Sequence, residues 1–356
     1  MQKIEIRKAE TLKPLFEDAS KLTFGHLFTD HMFTMRYNPE KGWHAPVIEP
    51  YRPLELDPSA MVFHYGQTIF EGLKAYRAED GRALLFRPAD NFARMNRSAE
   101  RMCIPRFDEE LAMAGLIELL RLEERWIPTA PGTSLYIRPT IIATDPYLGV
   151  RASNTYLFFI ILSPVGPYYA EGFKPVRIYV EDEYVRAVRG GTGFTKAAAN
   201  YAISLLAGEV AKEKGYSQVL WLDGVHRRYV EEVGSMNICF KIGGKIVTPA
   251  LNGSILPGIT RDSVLRLSAD MGYPVEERLV EVEELFAAHE QGTLEEVFGT
   301  GTAAVVSPVG ELRWKDRSVT VGDGQTGPVA LALYERLTGI QYGKLPDPYG
   351  WSVEIR

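Results

Sequence analysis

The segment Pro164-Val-Gly-Pro-Tyr-Tyr-Ala-Glu-Gly-Phe-Lys-Pro175 constrains this chain more than any other stretch, because it breaks every periodic pattern around it. Proline fixes φ and removes a backbone donor, so neither a helix interior nor a central strand runs through such a segment. At 356 residues the chain is long for one hydrophobic core and comfortable for two. We therefore read a first domain over residues 1–166, an interdomain linker over 167–175 and a second domain over 176–356.

Short apolar runs alternate with amphipathic stretches on both sides of the break. Before it, Leu84-Leu85-Phe86 predicts a strand that stops at Pro88. Asp90 is expected to cap a helix through about Met102, with Phe92, Met95 and Met102 on its apolar side. Asp108 is expected to cap a second helix bearing Leu111, Leu116, Leu119 and Leu120. Ser134–Pro139 and Asn154–Leu162 read as strands, the latter buried on both faces. Beyond the break, strands are expected at Val176–Val180, Gln218–Leu222 and Met236–Lys241. Helices are expected at Ala197–Lys214, closed by Gly215, at Thr260–Met271 and at Pro328–Leu337. The fold class is α/β, and no internal repeat is visible.

Hydrophobic residues make up 46% and charged residues 24%, an ordinary globular composition. With 40 basic against 46 acidic residues the net charge is −6, and no basic block stands out. Nucleic-acid and anionic-membrane partners are therefore disfavoured. The two cysteines, Cys103 and Cys239, lie far apart in apolar settings and are expected to be buried structural thiols. No disulfide framework or metal-type Cys/His spacing exists, which fits a reducing compartment. The N-terminus has no apolar signal core, and the run Tyr156–Leu162 is too short to span a bilayer. The expectation is a cytoplasmic protein without a metal.

One lysine stands out. Lys196 ends the glycine-rich stretch Arg189-Gly-Gly-Thr-Gly-Phe-Thr-Lys196 and opens the alanine-rich stretch Ala197-Ala-Ala-Asn-Tyr201. An amine so placed either contacts a phosphate or loses its proton and attacks a carbonyl. The stretch superficially resembles a nucleotide phosphate loop, but that motif needs Gly-Lys-Ser/Thr. Here Thr195 precedes the lysine and Ala197 follows it, so no hydroxyl sits where magnesium would need one. The dinucleotide fingerprint fails too, because Lys196 takes the place of its third glycine. The plainer alternative is a lysine that snorkels at a helix start. That end of a helix carries partial positive charge, which disfavours an ammonium and favours the neutral nucleophile.

A lysine that holds pyridoxal phosphate as a Schiff base would need three kinds of neighbour. The pyridine nitrogen needs a carboxylate, and Glu232 precedes a strand and is followed by Gly234 and Ser235. The phenolic oxygen needs a donor, and Tyr201 lies five residues beyond the lysine. The phosphate needs an arginine and a helix start, and Ile255-Leu-Pro-Gly-Ile-Thr-Arg261 offers Gly258 and Thr260. Phe298-Gly-Thr-Gly-Thr-Ala-Ala304 is a second turn rich in glycine and hydroxyls. Singly, each has an ordinary explanation as a surface glutamate, a core tyrosine or turn chemistry. Their joint occurrence in one half of the chain argues for the cofactor.

The ordered motifs Gly190-Gly-Thr-Gly-Phe-Thr-Lys196, Glu232-Val-Gly-Ser-Met-Asn237, Leu256-Pro-Gly-Ile-Thr-Arg261 and Gly299-Thr-Gly-Thr-Ala303 resemble the fold-type IV pyridoxal-phosphate enzymes. Within that group the chain is similar to the branched-chain-amino-acid aminotransferases. The first half agrees through Phe24-Gly-His-Leu-Phe-Thr-Asp-His-Met32, Tyr65-Gly-Gln-Thr-Ile-Phe-Glu-Gly-Leu-Lys-Ala75, Phe86-Arg-Pro88, Arg94-Met-Asn-Arg-Ser-Ala99 and Tyr136-Ile-Arg-Pro139. The similarity runs from about Phe24 to Gly343. It implies a smaller N-terminal α/β domain, a C-terminal pseudo-barrel domain that binds the cofactor, and a homodimer, with higher oligomers left open.

The resemblance also implies roles. Lys196 would carry pyridoxal 5′-phosphate and shuttle the substrate's Cα proton, the cofactor becoming pyridoxamine 5′-phosphate in the half-reaction. Glu232 would pair with the pyridine nitrogen and Tyr201 with the phenolic oxygen. Arg94, Ser235, Leu256, Gly258, Ile259, Thr260 and Thr302 would complete the cofactor site. Backbone amides around Thr302 and Ala303 would hold the substrate carboxylate. Phe24, Tyr65, Phe70, Tyr136 and Tyr168 would line an apolar side-chain pocket, with Tyr65 and Val150 serving the neighbouring subunit. Arg138, two residues from Tyr136 on the same strand face, would take glutamate's second carboxylate. The implied reaction moves an amino group between leucine, isoleucine or valine and 2-oxoglutarate. Its nearest rivals are D-amino-acid transaminases and aminodeoxychorismate lyases of the same fold type, and a more distant one is an idle binding protein that kept the fold.

Two departures from the family pattern are visible. Mammalian members carry Cys-x-x-Cys just after the Gly-Thr-Ala turn, where this chain reads Ala304-Val-Val-Ser307. Ser235 stands where some members have threonine, and either hydroxyl can donate.

Overall fold

The computed structural model describes residues 2–168 and 173–355, so residues 169–172 of the expected linker lie outside the described residues. The chain divides into two compact units, one of Met1–Ala170, Thr195–Ala198 and Gly339–Arg356, the other of Glu171–Phe194 and Ala199–Thr338. The domains read from the sequence run continuously along the chain, whereas these units interleave. Two pairings place the displaced pieces. Ala197 bridges Ile69, and the strand Ser352–Glu354 pairs antiparallel with Ala83–Phe86.

Among the described residues the first unit is built on a nine-stranded sheet. Its order is Glu5–Ile6, Gly42–Pro50, His31–Asn38, Tyr156–Val165, Ser134–Ala143, Leu73–Arg77, Ala83–Phe86 and Ser352–Glu354, with Thr68–Phe70 also on Ser134–Ala143. Side chains alternate across a strand, so each face has its own composition. Phe33, Met35, Leu73, Ala75, Leu135, Ile137, Phe158 and Ile160 share one core with Phe92 and Met95 of the helix Pro88–Arg101 and Leu111, Leu116 and Leu119 of Glu109–Leu122. Each large side chain removed from water here contributes about 1.5–3 kcal/mol. The opposite face carries Tyr136 and Arg138, with Lys74 directly across from Tyr136 and Phe70 across from Thr140. That face carries the first unit's candidate site residues.

The helix starts differ in detail from the sequence reading. Asp108 caps Glu109–Leu122, accepting from the amides of Glu110 and Leu111 at 2.9 and 3.2 Å. Asp90, by contrast, lies inside the first turn of Pro88–Arg101 and accepts from Arg87 Nε at 2.6 Å. Pro88 at the first position supplies a preset φ and removes one of the amides left over at a helix start, and no side chain caps this one. Cys239 is buried and its thiol is pushed up to about 11 by burial, but Cys103 is exposed just past the helix end. Its φ of +54° turns the chain there and carries the thiol outward.

The second unit holds another nine-stranded sheet among the described residues. Its order is Val230–Val233, Gln218–Leu222, Val176–Glu181, Val305–Trp314, Leu294–Gly301, Asn237–Ile242, Lys245–Pro249 and Val275–Arg278, with Arg317–Thr320 on Val305–Trp314. Val176–Glu181 runs parallel to both of its neighbours. The long strand Val305–Trp314 pairs with Leu294–Gly301 along its first half and with Val176–Glu181 farther on, the latter register shifting between Val309 and Glu311. Val233 also bridges Met236, tying the end strand Val230–Val233 to Asn237–Ile242 across a tight turn. The sheet thus curls into the half-barrel of fold-type IV enzymes. Ile178, Val180, Leu220, Ile238, Phe240, Val297 and Leu312 fill its interior.

The helix expected over Ala197–Lys214 is two pieces, Ala199–Ala202 and Leu205–Glu213. Ser204 returns its hydroxyl to the Tyr201 carbonyl at 2.7 Å, a local bond that competes with helix propagation. Among the described residues no helix is long and apolar enough to cross a membrane.

Candidate active site

Lys196 is not at a helix start. It lies in an extended piece held against the strand Thr68–Phe70, where Phe70 N donates to Lys196 O at 3.0 Å and Ala198 N to Thr68 O at 3.3 Å. Ser98, on the helix Pro88–Arg101, accepts from Lys196 N at 3.0 Å. The backbone of the lysine is thereby fixed on both sides. The helix field expected at its amine therefore does not arise. What the fold supplies instead is an aromatic wall, with Lys196 Nζ 5.1 Å from the centre of the Phe70 ring.

Phe70 links this lysine to an arginine. The Arg138 guanidinium lies 4.6 Å from the same ring and 5.2 Å from that of Tyr136, and its Nη2 donates to the Tyr136 hydroxyl at 3.0 Å. Arg138 Nε is buried and has no hydrogen-bond partner among the described residues. Phe24 packs edge-on against Tyr136 at 4.7 Å. Tyr136 lies where a side chain at residue 72 would stand, its hydroxyl 2.1 Å from the position of a Cβ, so only glycine fits there. Lys74, across from Tyr136, is buried, and burial pushes its amine down to about 8.

Beside this group is a closed ion pair. Arg94 donates Nε to Glu71 Oε1 at 2.8 Å and Nη2 to Glu71 Oε2 at 2.9 Å, while Asn91 Nδ2 donates to Oε2 at 2.8 Å. Burial pushes the Glu71 carboxyl up. The Arg94 charge and hydrogen bonds, the Lys196 charge and the Asn91 amide outweigh it and hold the group below its usual range.

The first unit therefore brings together Lys196, Phe70, Tyr136, Arg138 and Phe24, with Arg94 anchored to Glu71. Tyr65 ends the short helix Met61–Tyr65 and donates its hydroxyl to the Leu148 carbonyl, and Val150, two residues beyond Leu148, is 85% exposed. Tyr168 is half exposed at the last described residue before 169–172.

In the second unit Glu232 sits on Val230–Val233, a strand whose four residues are all buried. Leu256 N donates to Glu232 Oε1 at 2.7 Å, and Arg186 Nε lies 3.2 Å from Oε2. Asn237 Nδ2 donates to the Leu256 carbonyl at 2.9 Å, bracing the Leu-Pro-Gly turn. A Cβ on Gly258 would come within 1.9 Å of Asn237 Oδ1, so the turn can be braced only because residue 258 is glycine. The turn opens the helix Ile259–Asp270, whose first residues are Ile259 and Thr260. First-turn amides carry partial positive charge and suit a phosphate.

Ser235 is exposed in the turn joining Val230–Val233 to Asn237–Ile242. Thr302 and Ala303 lie half-buried at the tip of the hairpin joining Leu294–Gly301 to Val305–Trp314. Thr300, just before that tip, has a buried hydroxyl with no hydrogen-bond partner among the described residues. Tyr201 belongs to this unit, in Ala199–Ala202. An orphaned buried hydroxyl, a braced glycine turn and a held carboxylate together suit a phosphorylated, protonated heteroaromatic ligand. The residues fit pyridoxal phosphate.

Comparison with known proteins decides the family. The amino-transferase class IV profile matches residues 68–312. The chain is 58% identical over 354 residues to the branched-chain-amino-acid aminotransferase 2 of Bacillus subtilis, covering 99% of this chain and 97% of that one. This chain belongs to the class IV aminotransferases. The aminotransferase is also 55% identical to a probable branched-chain-amino-acid aminotransferase of Staphylococcus epidermidis, over 99% of each chain. In structure it is similar to the Escherichia coli branched-chain amino acid aminotransferase, with a TM-score of 0.76, 27% identity and coverage of 92% of this chain and 99% of that one. The T.th. branched-chain enzyme complexed with N-(5′-phosphopyridoxyl)-L-glutamate gives a TM-score of 0.74 at 27% identity, covering 91% and 98%.

Three residues that hold candidate site residues went unassigned from sequence: Glu71 beside Arg94, Arg186 beside Glu232 and Asn237 beneath the Leu-Pro-Gly turn. Glu71 and Asn237 lie inside motifs already singled out, and a buried carboxylate partner for Arg94 could have been sought there. Nothing in the sequence separates Arg186 from Arg189 three residues on.

Proposed function

We propose that this aminotransferase catalyses the reversible transfer of an amino group between L-leucine, L-isoleucine or L-valine and 2-oxoglutarate, giving the branched 2-oxo acid and L-glutamate. The observation that carries this reading is the row Lys196–Phe70–Arg138–Tyr136. It sets an amine and a guanidinium against one aromatic ring, at 5.1 and 4.6 Å from its centre. Phe70, Tyr136 and Phe24 offer apolar surface to a branched side chain. Arg138, with an Nε that has no partner among the described residues, offers a bidentate fork to a second carboxylate. One pocket can then serve both substrates. Two complexes of the T.th. enzyme, with phosphopyridoxyl-L-glutamate and with 4-methylvaleric acid, support that reading.

Pyridoxal 5′-phosphate is the proposed cofactor, and when bound it supplies the electron sink and the carbonyl that carries the amino group. Lys196 holds it and moves the proton at the substrate Cα. Glu232 keeps the pyridine nitrogen protonated, and Tyr201 donates to the phenolic oxygen. Leu256, Gly258, Ile259, Thr260 and Thr302 bind the phosphate with Arg94, and Ser235 adds a hydroxyl. The amides of Thr302 and Ala303 hold the substrate carboxylate. The enzyme is proposed to act as a cytoplasmic homodimer, with Tyr65 and Val150 serving the neighbouring subunit and Tyr168 lining the apolar pocket.

Lys196→Ala should abolish the visible absorption of the lysine-bound cofactor and reduce turnover to background. Retention of that absorption would sink the assignment. With 2-oxoglutarate as acceptor, L-leucine should react and D-alanine should not. Pyruvate release from aminodeoxychorismate would indicate the lyase instead.

A further inference from the structure

Residues 22–29 contain neither helix nor strand, yet they carry Phe24 onto Tyr136. Phe24 is itself 51% exposed, so that ring contact holds the loop from one side only. The loop is fastened at its two ends. At the first, Gly166 N donates to the Leu22 carbonyl at 3.2 Å. At the second, Thr29 N donates to the Leu162 carbonyl at 3.1 Å, and the Phe28 ring stacks on Tyr51 with centres 5.1 Å apart. One side chain from outside the loop joins this second end. Lys13 Nζ donates to the Phe28 carbonyl at 3.1 Å and to the Thr29 carbonyl at 2.8 Å, and lies 4.6 Å from the centre of the Tyr51 ring.

Lys13 serves as a fixed post because its own backbone is held independently of its side chain. Its N–H donates to Asp30 Oδ1 at 2.7 Å, and its carbonyl accepts from Arg125 Nη2 at 2.8 Å. Asp30 in turn accepts from Arg125 Nη2 and Trp126 Nε1 at 2.8 Å each, and Trp126 is fully buried. The residues before Lys13 form a strap that is fastened as well. Glu5–Ile6 pairs with Gly42–Pro50, and Ala9 N donates to His31 Nε2 at 2.8 Å. An ammonium carries three donors and a charge that suits an aromatic face. Replacing the amine therefore leaves the strap in place and unties the loop alone.

We propose that Lys13 is a positioning residue for the substrate side-chain pocket, holding the loop 22–29 so that Phe24 stays against Tyr136 and favours branched apolar side chains. This rests on the pocket reading given under the proposed function. Lys13 acts on the substrate through Phe24.

The test measures leucine and glutamate kinetics of the holoenzyme beside Lys13→Met, Lys13→Arg, Phe24→Ala and the double variant Lys13→Met/Phe24→Ala. Lys13→Met should raise KM for leucine by ~3–10-fold with kcat within ~2-fold, the pattern of binding lost equally from ground state and transition state. Glutamate is held at Arg138 by its second carboxylate, so its KM should change by less than ~2-fold. Lys13→Arg should keep the leucine KM within ~2-fold of wild type, since a guanidinium donates to both carbonyls and stacks on Tyr51. Phe24→Ala should raise the leucine KM, and adding Lys13→Met to it should cost less than ~1.5-fold more, because both changes act through one ring.

A residue that only fastens the N-terminal strap predicts otherwise. In that case Lys13→Met lowers the melting temperature and either leaves both KM values alone or raises them equally, and any effect multiplies with that of Phe24→Ala. Each of these results overturns the proposal, as does an unchanged leucine KM in Phe24→Ala. Should Lys13→Met fail to fold, Lys13→Gln and Tyr51→Leu carry the same comparison, the second removing the ring that Lys13 and Phe28 share. A wild-type protein that transaminates neither substrate would overturn the function reading and this inference with it. An active wild type beside a Lys13→Met variant of unmoved leucine KM overturns the inference alone.

Discussion

Arg94 meets Glu71 edge to edge, with two N–H donors on two oxygens at 2.8 and 2.9 Å, whereas Arg186 approaches Glu232 from the side and spends a second nitrogen on a backbone carbonyl. Both pairs are almost fully buried. In the first unit Glu71 is saturated, since Asn91 and the Gly72 amide add to the arginine. In the second, Glu232 holds an aligned amide at one oxygen and a misaligned charge at the other. The forked pair, with two further donors on the same carboxylate, ties the link between two strands to a helix within the first unit. The off-axis pair sets the charge of Arg186 beside a carboxylate that also holds the Leu256 amide.

The sharpest way to break this contrast is Glu71→Gln. The amide keeps the shape but leaves the Arg94 guanidinium buried without its counter-charge, which costs about 3–5 kcal/mol. Urea unfolding of the cofactor-free protein at pH 7 measures it, and a loss under ~1 kcal/mol would remove the framework role. The Glu71 carboxyl is held below its usual 4.5, so its contribution is fully present above that pH. It is lost as the pH falls through the lower folded value, and the gap between wild type and variant should narrow there.

Glu232→Gln should give the reverse profile. Its partner Arg186 keeps the Ser254 carbonyl and loses an off-axis contact rather than a fork, so the stability loss should be smaller than for Glu71→Gln by about 1 kcal/mol or more. Turnover should fall by ~100–1000-fold, the usual effect of removing a preorganised charge from a reaction centre. Comparable stability losses in the two glutamine variants would erase the distinction drawn between the pairs.

These two pairs also mark the limit of what the sequence discloses. Apolar periodicity foretold the strands Val176–Glu181 and Gln218–Leu222, and the cap at Asp108 with its helix, because each depends on neighbours in sequence. The half-barrel also sets Val176–Glu181 beside Val305–Trp314, strands far apart in the chain, and no local pattern reports that pairing. Lys196 and Glu232 stood out because glycine turns flank them. Their supporting residues did not. Arg186 lies ten positions before Lys196 in an unremarkable stretch, and Glu71 is a lone acid between an aromatic and a glycine. The expectation of a helix start at Lys196 failed because the bridge between Ala197 and Ile69 competes with helix for the same backbone groups.

Lys74 offers a further test of what burial does to a charge. Burial pushes its amine from 10.5 down to about 8. Below about pH 8 the amine is charged in both folded and unfolded chains, and the cost of burying it is constant. Between about 8 and 10.5 the unfolded chain alone binds the proton, so native stability should rise with pH, by at most about 3 kcal/mol. The stability difference between wild type and Lys74→Met should therefore move in favour of wild type from pH 7 to pH 10. An unchanged difference would show that Lys74 titrates as it does in the unfolded chain.

Arg317 and Glu283 supply the control. Their 2.7 Å separation matches the contacts of Arg94 with Glu71 to within 0.2 Å, but the two side chains are 45% and 58% exposed. Water already solvates both charges, so little desolvation is recovered when they pair, and holding two long side chains in one geometry opposes the gain. Arg317 also keeps its stacking on Phe286 and Trp314, at 4.5 and 4.9 Å, whatever stands at residue 283. Glu283→Gln should change the unfolding free energy by less than ~0.5 kcal/mol and lose even that in high salt. If it cost as much as Glu71→Gln, separation rather than burial would set the worth of these pairs, and the off-axis contact at Glu232 would be no more than a weaker version of the fork at Glu71.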